Sequence, residues 1–144
     1  MILPDVNVLV HAFRREAERH EQYAAWLARV VAGAEELALH DTVLAGFSRI
    51  VTNSRIMSDP APLPAALAFV DRLRTAQRAR WIPSGDATWD VVTRLVDHDR
   101  SLAGNLVPDA HLAGLALAHG CRLATADRGF SRFPGLDHFD PAAG

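Results

Sequence analysis

Three aspartates stand where this chain changes from one kind of local structure to another, and carboxylates so placed could serve phosphoryl chemistry. Asp5 interrupts the apolar run Ile2-Leu3-Pro4-Asp5-Val6-Asn7-Val8-Leu9-Val10. Asp109 falls in Val107-Pro108-Asp109-Ala110-His111-Leu112, and Asp127 in Leu123-Ala124-Thr125-Ala126-Asp127-Arg128-Gly129-Phe130. Carboxylates brought within several ångströms of one another repel, and the repulsion either raises a pKa or recruits a cation. Hard oxygen ligands select magnesium or manganese, and magnesium takes only a few carboxylates, keeping its waters for a phosphate substrate. A cation so held polarises a phosphoryl oxygen and activates water, which is what phosphodiester hydrolysis needs.

Each acid also has an ordinary explanation, because Asp at a helix start caps the helix and meets the favourable end of its dipole. The setting of Asp5 distinguishes it: an unpaired carboxylate inside a run that should be fully buried is costly. Other chemistries find little support. His11, His40, His98, His111 and His119 show no HExxH or paired spacing, so surface or capping roles are expected rather than a zinc site. The single cysteine, Cys121, excludes disulfide frameworks and multi-cysteine metal sites and is read as a small buried hydrophobe. Neither GxxxxGK nor GxGxxG occurs, which removes the usual phosphate-binding loops.

Trp26, Trp81 and Trp89 fall at expected core positions rather than as base-stacking platforms. Arg14, Arg15, Arg49, Arg55 and Arg128 follow expected strand ends and could touch phosphates, although a solvated face is the expectation for most. The formal net charge of −2 argues against binding nucleic acid through a bulk positive field. All 15 basic residues are Arg, whose forks match phosphate oxygens.

To position the acids, strands and helices must alternate. Residues 2–4 read as a buried strand entering a helix over Val6–Phe13, and a second helix is expected over 18–31, stopped by Gly33. A strand over 36–40 ends at Asp41-Thr42, either of which could cap a helix over 43–51. A proline-punctuated loop leads to a helix over 65–76, with Leu67, Phe69, Val70 and Leu73 turned inward. Then come a strand over 80–83, a helix over 88–97, a connection to Asn105, and a helix over 109–119 stopped by Gly120. A strand over 121–124, a short turn or helix over 128–133 and an edge strand over 136–139 complete the pattern. Such alternation calls for βαβ units: an α/β fold of three layers, α/β/α, with a mostly parallel central sheet of four to five strands. In such a sheet, ligands bind outside the strands' carboxyl ends where strand order reverses, and Asp5, Asp109, Asp127 and Asp41 could all face one crevice there.

The 144 residues, 49% apolar and 22% charged, fit a single globular domain over 1–144 with no linker or repeat. No basic segment leads into a signal-peptide core and no stretch could span a bilayer, so a cytoplasmic protein without membrane attachment is expected.

At Leu3-Pro4-Asp5-Val6-Asn7-Val8-Leu9, Gly104-Asn105-Leu106-Val107-Pro108-Asp109-Ala110-His111-Leu112 and Thr125-Ala126-Asp127-Arg128-Gly129-Phe130 the chain resembles the PIN-domain family. Within that family it is similar to VapC-type ribonuclease toxins of toxin–antitoxin pairs, over nearly its whole length. The resemblance implies a magnesium-dependent endoribonuclease, with Mn2+ able to substitute for Mg2+, acting on RNA. It also implies a homodimer silenced by a small VapB-like antitoxin whose C-terminal segment fills the active-site groove. Asp5, Asp109 and Asp127 fall on three of the family's acidic positions, as catalytic residues and metal ligands. The fourth, usually Glu, is occupied by Gly46, as in a subgroup with a Gly-Phe-x-Arg pattern; Asp41, one helical turn earlier, is a candidate stand-in. That departure favours a one-metal site and keeps a second reading in view, a catalytically weak PIN module that binds RNA or a protein. A third reading, a phosphatase-type hydrolase, ranks last because Asn7 stands where those enzymes want a second Asp.

Overall fold

In the computed structural model, which describes residues 1–143, the apolar opening forms β1 (Ile2–Pro4) and turns at Asp5 into α1 (Val6–Phe13). After it come α2 (His20–Ala32), β2 (Leu37–Leu39), α3 (Asp41–Val51), α4 (Leu63–Arg74), β3 (Ala79–Trp81) and α5 (Asp86–His98). A 3-10 turn at Gly104–Leu106 leads into α6 (Val107–His119), followed by β4 (Arg122–Ala124), a second 3-10 segment at Arg128–Arg132, and β5 (His138–Phe139). Among the described residues the strands form one sheet in the order β3-β2-β1-β4-β5, and every pairing is parallel.

The expected three-layer α/β/α architecture is thus observed. Every residue of β1 and β2 is buried, as a strand covered by helices on both faces requires. From β1 the chain steps outward to β2 and β3 on one side, then returns to β4 and β5 on the other. Strand order therefore reverses between β1 and β4, and the crevice beyond their carboxyl ends is where such sheets bind ligands.

On one side of the sheet the core is locked by three rings, Phe13 of α1, Phe47 of α3 and Phe69 of α4. Their centroids lie 5.4 Å (Phe13–Phe47), 5.3 Å (Phe13–Phe69) and 4.9 Å (Phe47–Phe69) apart. Elsewhere α5 lies directly against α6 because Gly114 carries no side chain. A Cβ there would stand 2.7 Å from Val92 Cγ2 and 3.3 Å from the Thr88 carbonyl oxygen. Gly114→Ala should therefore lower thermal stability. Overpacking of this kind costs about 1–3 kcal/mol, which outweighs the roughly 1 kcal/mol by which Ala is the better helix former. A thermal melt checks it, and a variant that melts at or above the wild type would refute this account of the helix contact.

Several boundaries and burials depart from expectation. His40, one residue before the expected caps, is the N-cap of α3, its Nδ1 accepting from the Thr42 amide at 3.2 Å, so Asp41 and Thr42 lie inside the helix. Helix α6 begins at Val107 because Pro108, which lacks an N–H, suits a first turn. On α4 the buried stripe is Ala66, Phe69, Val70 and Leu73, a helical i, i+3, i+4, i+7 spacing that turns Leu67 out to solvent. Trp26 is buried as expected, but Trp81 and Trp89 are half exposed. Trp81 stands on the edge strand β3, and Trp89 on the first turn of α5.

Candidate active site

Beyond the carboxyl ends of β1 and β4 the chain builds one hydrogen-bonded array from two short segments. The Asp5 amide donates to the Ala124 carbonyl at 2.8 Å, extending the β1–β4 ladder by one residue. Its carboxylate then accepts on both oxygens: Oδ1 from the Val6 amide at 2.7 Å, and Oδ2 from Thr125 Oγ1 at 2.8 Å and Asn7 Nδ2 at 3.2 Å. Asn7 Oδ1 accepts from the Ala126 amide at 3.1 Å, and Thr125 Oγ1 accepts from the Asp127 amide at 3.0 Å. Asp127 Oδ1 in turn accepts from the Gly129 amide at 2.7 Å and starts the 3-10 segment.

Asp5 and Asp127 are therefore caps as well as candidate site residues. Asn7 and Thr125, which the sequence reading did not place in the site, hold the two acids in register. Thr125 is a buried hydroxyl that donates to one acid's side chain and accepts from the other's backbone. The signal in the sequence was the spacing itself, an acid and a polar partner two residues apart at 5/7 and again at 125/127.

Asp109 arrives from a different direction. It stands in the first turn of α6, a helix with no side-chain cap, where the helix dipole favours negative charge. Even so, its carboxyl is held above the usual carboxylate range, first by burial and then by repulsion from Asp127 and Asp5, with Arg132 opposing. Asp5 is likewise raised, chiefly by burial and further by Asp127, against the hydrogen bonds from Thr125, Val6 and Asn7. The structure thus brings Asp5, Asp109 and Asp127 within range of one another's charge.

A divalent cation suits this donor set, because it would relieve both the desolvation and the repulsion. Among the described residues no three His, Cys, Asp or Glu side chains are placed to hold one ion together. The set accordingly fits an ion that takes one or two carboxylates directly and reaches the rest through water, as magnesium does.

Asp41 stands apart from this group. It is exposed, it does not cap α3, and the charges that raise Asp5 and Asp109 do not include its own. Nor is there much room for the family's fourth acid at Gly46, where a Cβ would meet Val6 Cγ2 at 3.2 Å. A side chain at that position would press on the first residue of α1, directly after Asp5.

From Asp5 a groove of about 370 Å³ runs along the start of α6, walled by Thr42 of α3, Trp89 of α5, and Val107, Pro108 and His111 of α6. His111 is hydrogen-bonded through Nε2 to Ser84 Oγ at 3.0 Å, and its ring centre lies 5.1 Å from that of Trp89 and 5.8 Å from that of His40. Burial holds His40 and His111 below the usual imidazole range, and His40 is lowered further by His111 and His119. On the other side of Asp127 a cleft of about 420 Å³ is lined by Arg19, Arg128 and His138. Of the arginines anticipated near the strand ends, Arg128 borders the acids, and Arg132, not anticipated, acts on Asp109; Arg14 instead holds Glu16 and the Asp59 carbonyl.

The PIN domain family matches residues 2–136 of the chain. Ribonuclease VapC43 of Mycobacterium tuberculosis (strain ATCC 25618 / H37Rv) is 40% identical over 144 residues, covering 100% of this chain and 97% of its own. Ribonuclease VapC31 of the same strain is 33% identical over 141 residues, covering 98% and 99%. Among solved structures, VapBC2 from Rickettsia felis, bound to a DNA fragment from its promoter, shares the fold with a TM-score of 0.70. That likeness covers 97% of this chain and 98% of the other at 20% identity. With an all-parallel sheet, an acidic crevice at its switch point and full-length relatives of one kind, the chain belongs to the PIN-domain family, in its VapC group.

Proposed function

We propose that this protein is a magnesium-dependent endoribonuclease toxin that hydrolyses RNA phosphodiester bonds. In this reading Asp5 and Asp109 hold the cation and Asp127 completes the site directly or through water. The observation that carries it is the hydrogen-bonded array that joins Asp5 and Asp127 beyond the carboxyl ends of β1 and β4, with Asp109 of α6 near enough to feel the charge of both. Full-length relatives named as ribonucleases support the reaction class. When bound, a divalent cation supplies Lewis acidity toward the phosphoryl oxygens and the attacking water.

The chain's own residues do the remaining work. Thr125 and Asn7 fix the direction of the Asp5 carboxylate, and the Gly129 amide fixes that of Asp127. Arg19, Arg128 and His138, on the far side of Asp127, offer donors to the RNA backbone next to the cleaved bond. A VapB-like antitoxin that blocks the groove, a homodimer and a cytoplasmic location complete the proposal. Likeness to the VapBC2 complex supports the first, and no helix among the described residues is long and apolar enough to cross a membrane.

The test is metal dependence. The purified protein should cut single-stranded RNA with magnesium or manganese, stop on chelation and resume when magnesium is restored. Cleavage that ignores the chelator would remove the acids' assigned role. A second reading, a PIN module that binds without cutting, draws on Gly46 in place of the family's Glu; RNA binding with no metal-dependent cleavage would select it.

A further inference from the structure

We propose that the indole of Trp89 is the platform on which the nucleobase adjoining the cleaved phosphodiester stacks. The inference rests on the nuclease reading above and adds to it a subsite for one nucleotide. Trp89 is 50% exposed, on the outward face of α5 with Asp86, Asp90 and Thr93, beside the buried Thr88 and Val92. A large aromatic face left open beside an acidic crevice is a ready base-stacking surface, because every nucleobase has a π-face.

The ring is held in place. Its backbone lies in the first turn of α5, with its amide bonded to the Gly85 carbonyl at 3.1 Å and its carbonyl accepting from Thr93 Oγ1 at 2.9 Å. His111, tethered to Ser84, braces it at 5.1 Å with the ring planes tilted by 43°. The close approach of α5 to α6 at Gly114 fixes the distance from Trp89 to the helix that carries Asp109. A platform so braced needs little reorganisation to receive a base.

Continuity with the acids decides what the platform receives. Trp89 and Asp5 line the same groove, so a phosphodiester held at Asp5 brings the base of an adjoining nucleotide against the indole. The volume, about 370 Å³, is that of a small-ligand site. Val107 and Pro108 make the facing wall apolar. Few polar groups remain to read base edges, so the subsite should favour strong stacking, purines over pyrimidines, rather than one base identity.

Stacking on an aromatic side chain contributes about 1–3 kcal/mol per base, which converts to roughly tenfold to a hundredfold in kcat/KM. The experiment uses one short RNA that the wild-type protein cuts, and copies lacking the base on either side of the cleaved bond. For the wild type, removing one of these bases should lower kcat/KM by roughly tenfold to a hundredfold. Trp89→Ala should cut intact RNA more slowly by the same factor and lose nothing more on the abasic copy, while Trp89→Phe keeps most of the activity. Two results would overturn the proposal: Trp89→Ala cutting intact RNA like the wild type, which would leave the groove to a protein partner, or base removal costing it as much as it costs the wild type. If the wild type cuts no RNA, the nuclease reading fails, and fluorescence quenching by single-stranded RNA decides the stacking separately. Quenching that disappears in Trp89→Ala supports the platform, and quenching unchanged by that substitution overturns it. Since Trp89 is half exposed, an unchanged melting temperature of Trp89→Ala confirms that the fold is intact.

Discussion

Asp5→Asn should cut RNA about three orders of magnitude more slowly than the wild-type protein, several kcal/mol of lost transition-state stabilisation, and should gain far less stability from magnesium. The two halves of this expectation share a cause. Burial and the nearby Asp127 raise the Asp5 carboxyl above its ordinary range despite the hydrogen bonds it accepts. A group whose native pKa lies above its unfolded one favours folding while protonated and loses that contribution as the pH rises through the native pKa. The amide is free of that pH dependence, but its NH2 group faces one of the donors, the Val6 amide or the Thr125 hydroxyl and Asn7 Nδ2, that the carboxylate accepts on its two oxygens. Magnesium should raise the melting temperature of the wild type, because it binds only the folded state, and raise that of Asp5→Asn much less. Cleavage and melting curves with and without the ion provide the check. A variant that cuts normally, or that magnesium stabilises as much as it does the wild type, would contradict this account of the carboxylate.

Phe47→Ala should be the most damaging single truncation in the core, lowering stability by about 3–5 kcal/mol. Phe47 is fully buried and touches both Phe13 and Phe69, so its loss leaves a cavity where three helices meet and removes two aromatic contacts. In a chain of this size that corresponds to a melting temperature lower by roughly 6–20 °C. Leu67→Ala, on the exposed side of α4, is the control and should change stability by less than about 0.5 kcal/mol. Similar melting points for the two variants would show that the three rings do not act as a unit.

The alternation of elements was legible because continuous apolar runs and helical spacing are local signals, and β1, α1, Gly33 and Gly120 stand where those signals put them. Rotation about a helix axis was less so. Leu67 and Trp89 are apolar residues beside apolar stripes, and only the packing of α4 and α5 turns them outward. The His40 cap was missed because the usual capping residues, Asp41 and Thr42, follow it immediately, and an imidazole nitrogen accepting from an amide leaves no distinctive pattern. Asp5 was visible as the interruption of an apolar run, and Asp109 and Asp127 as acids at element junctions. Asn7 and Thr125 were not recognised as their supports, because a bond between residues 120 positions apart, Thr125 to Asp5, exists only once β4 lies beside β1.

The position of β1 within the sheet also governs when activity can arise during synthesis. Of the five strands this central one is made before the others, its neighbour β2 follows, and β4 on its other side comes only after β2 and β3. Until then the crevice has one wall, and Asp5 lacks both the Thr125 hydroxyl and Asp127. A chain that ends before β4 therefore lacks the assembled acidic crevice.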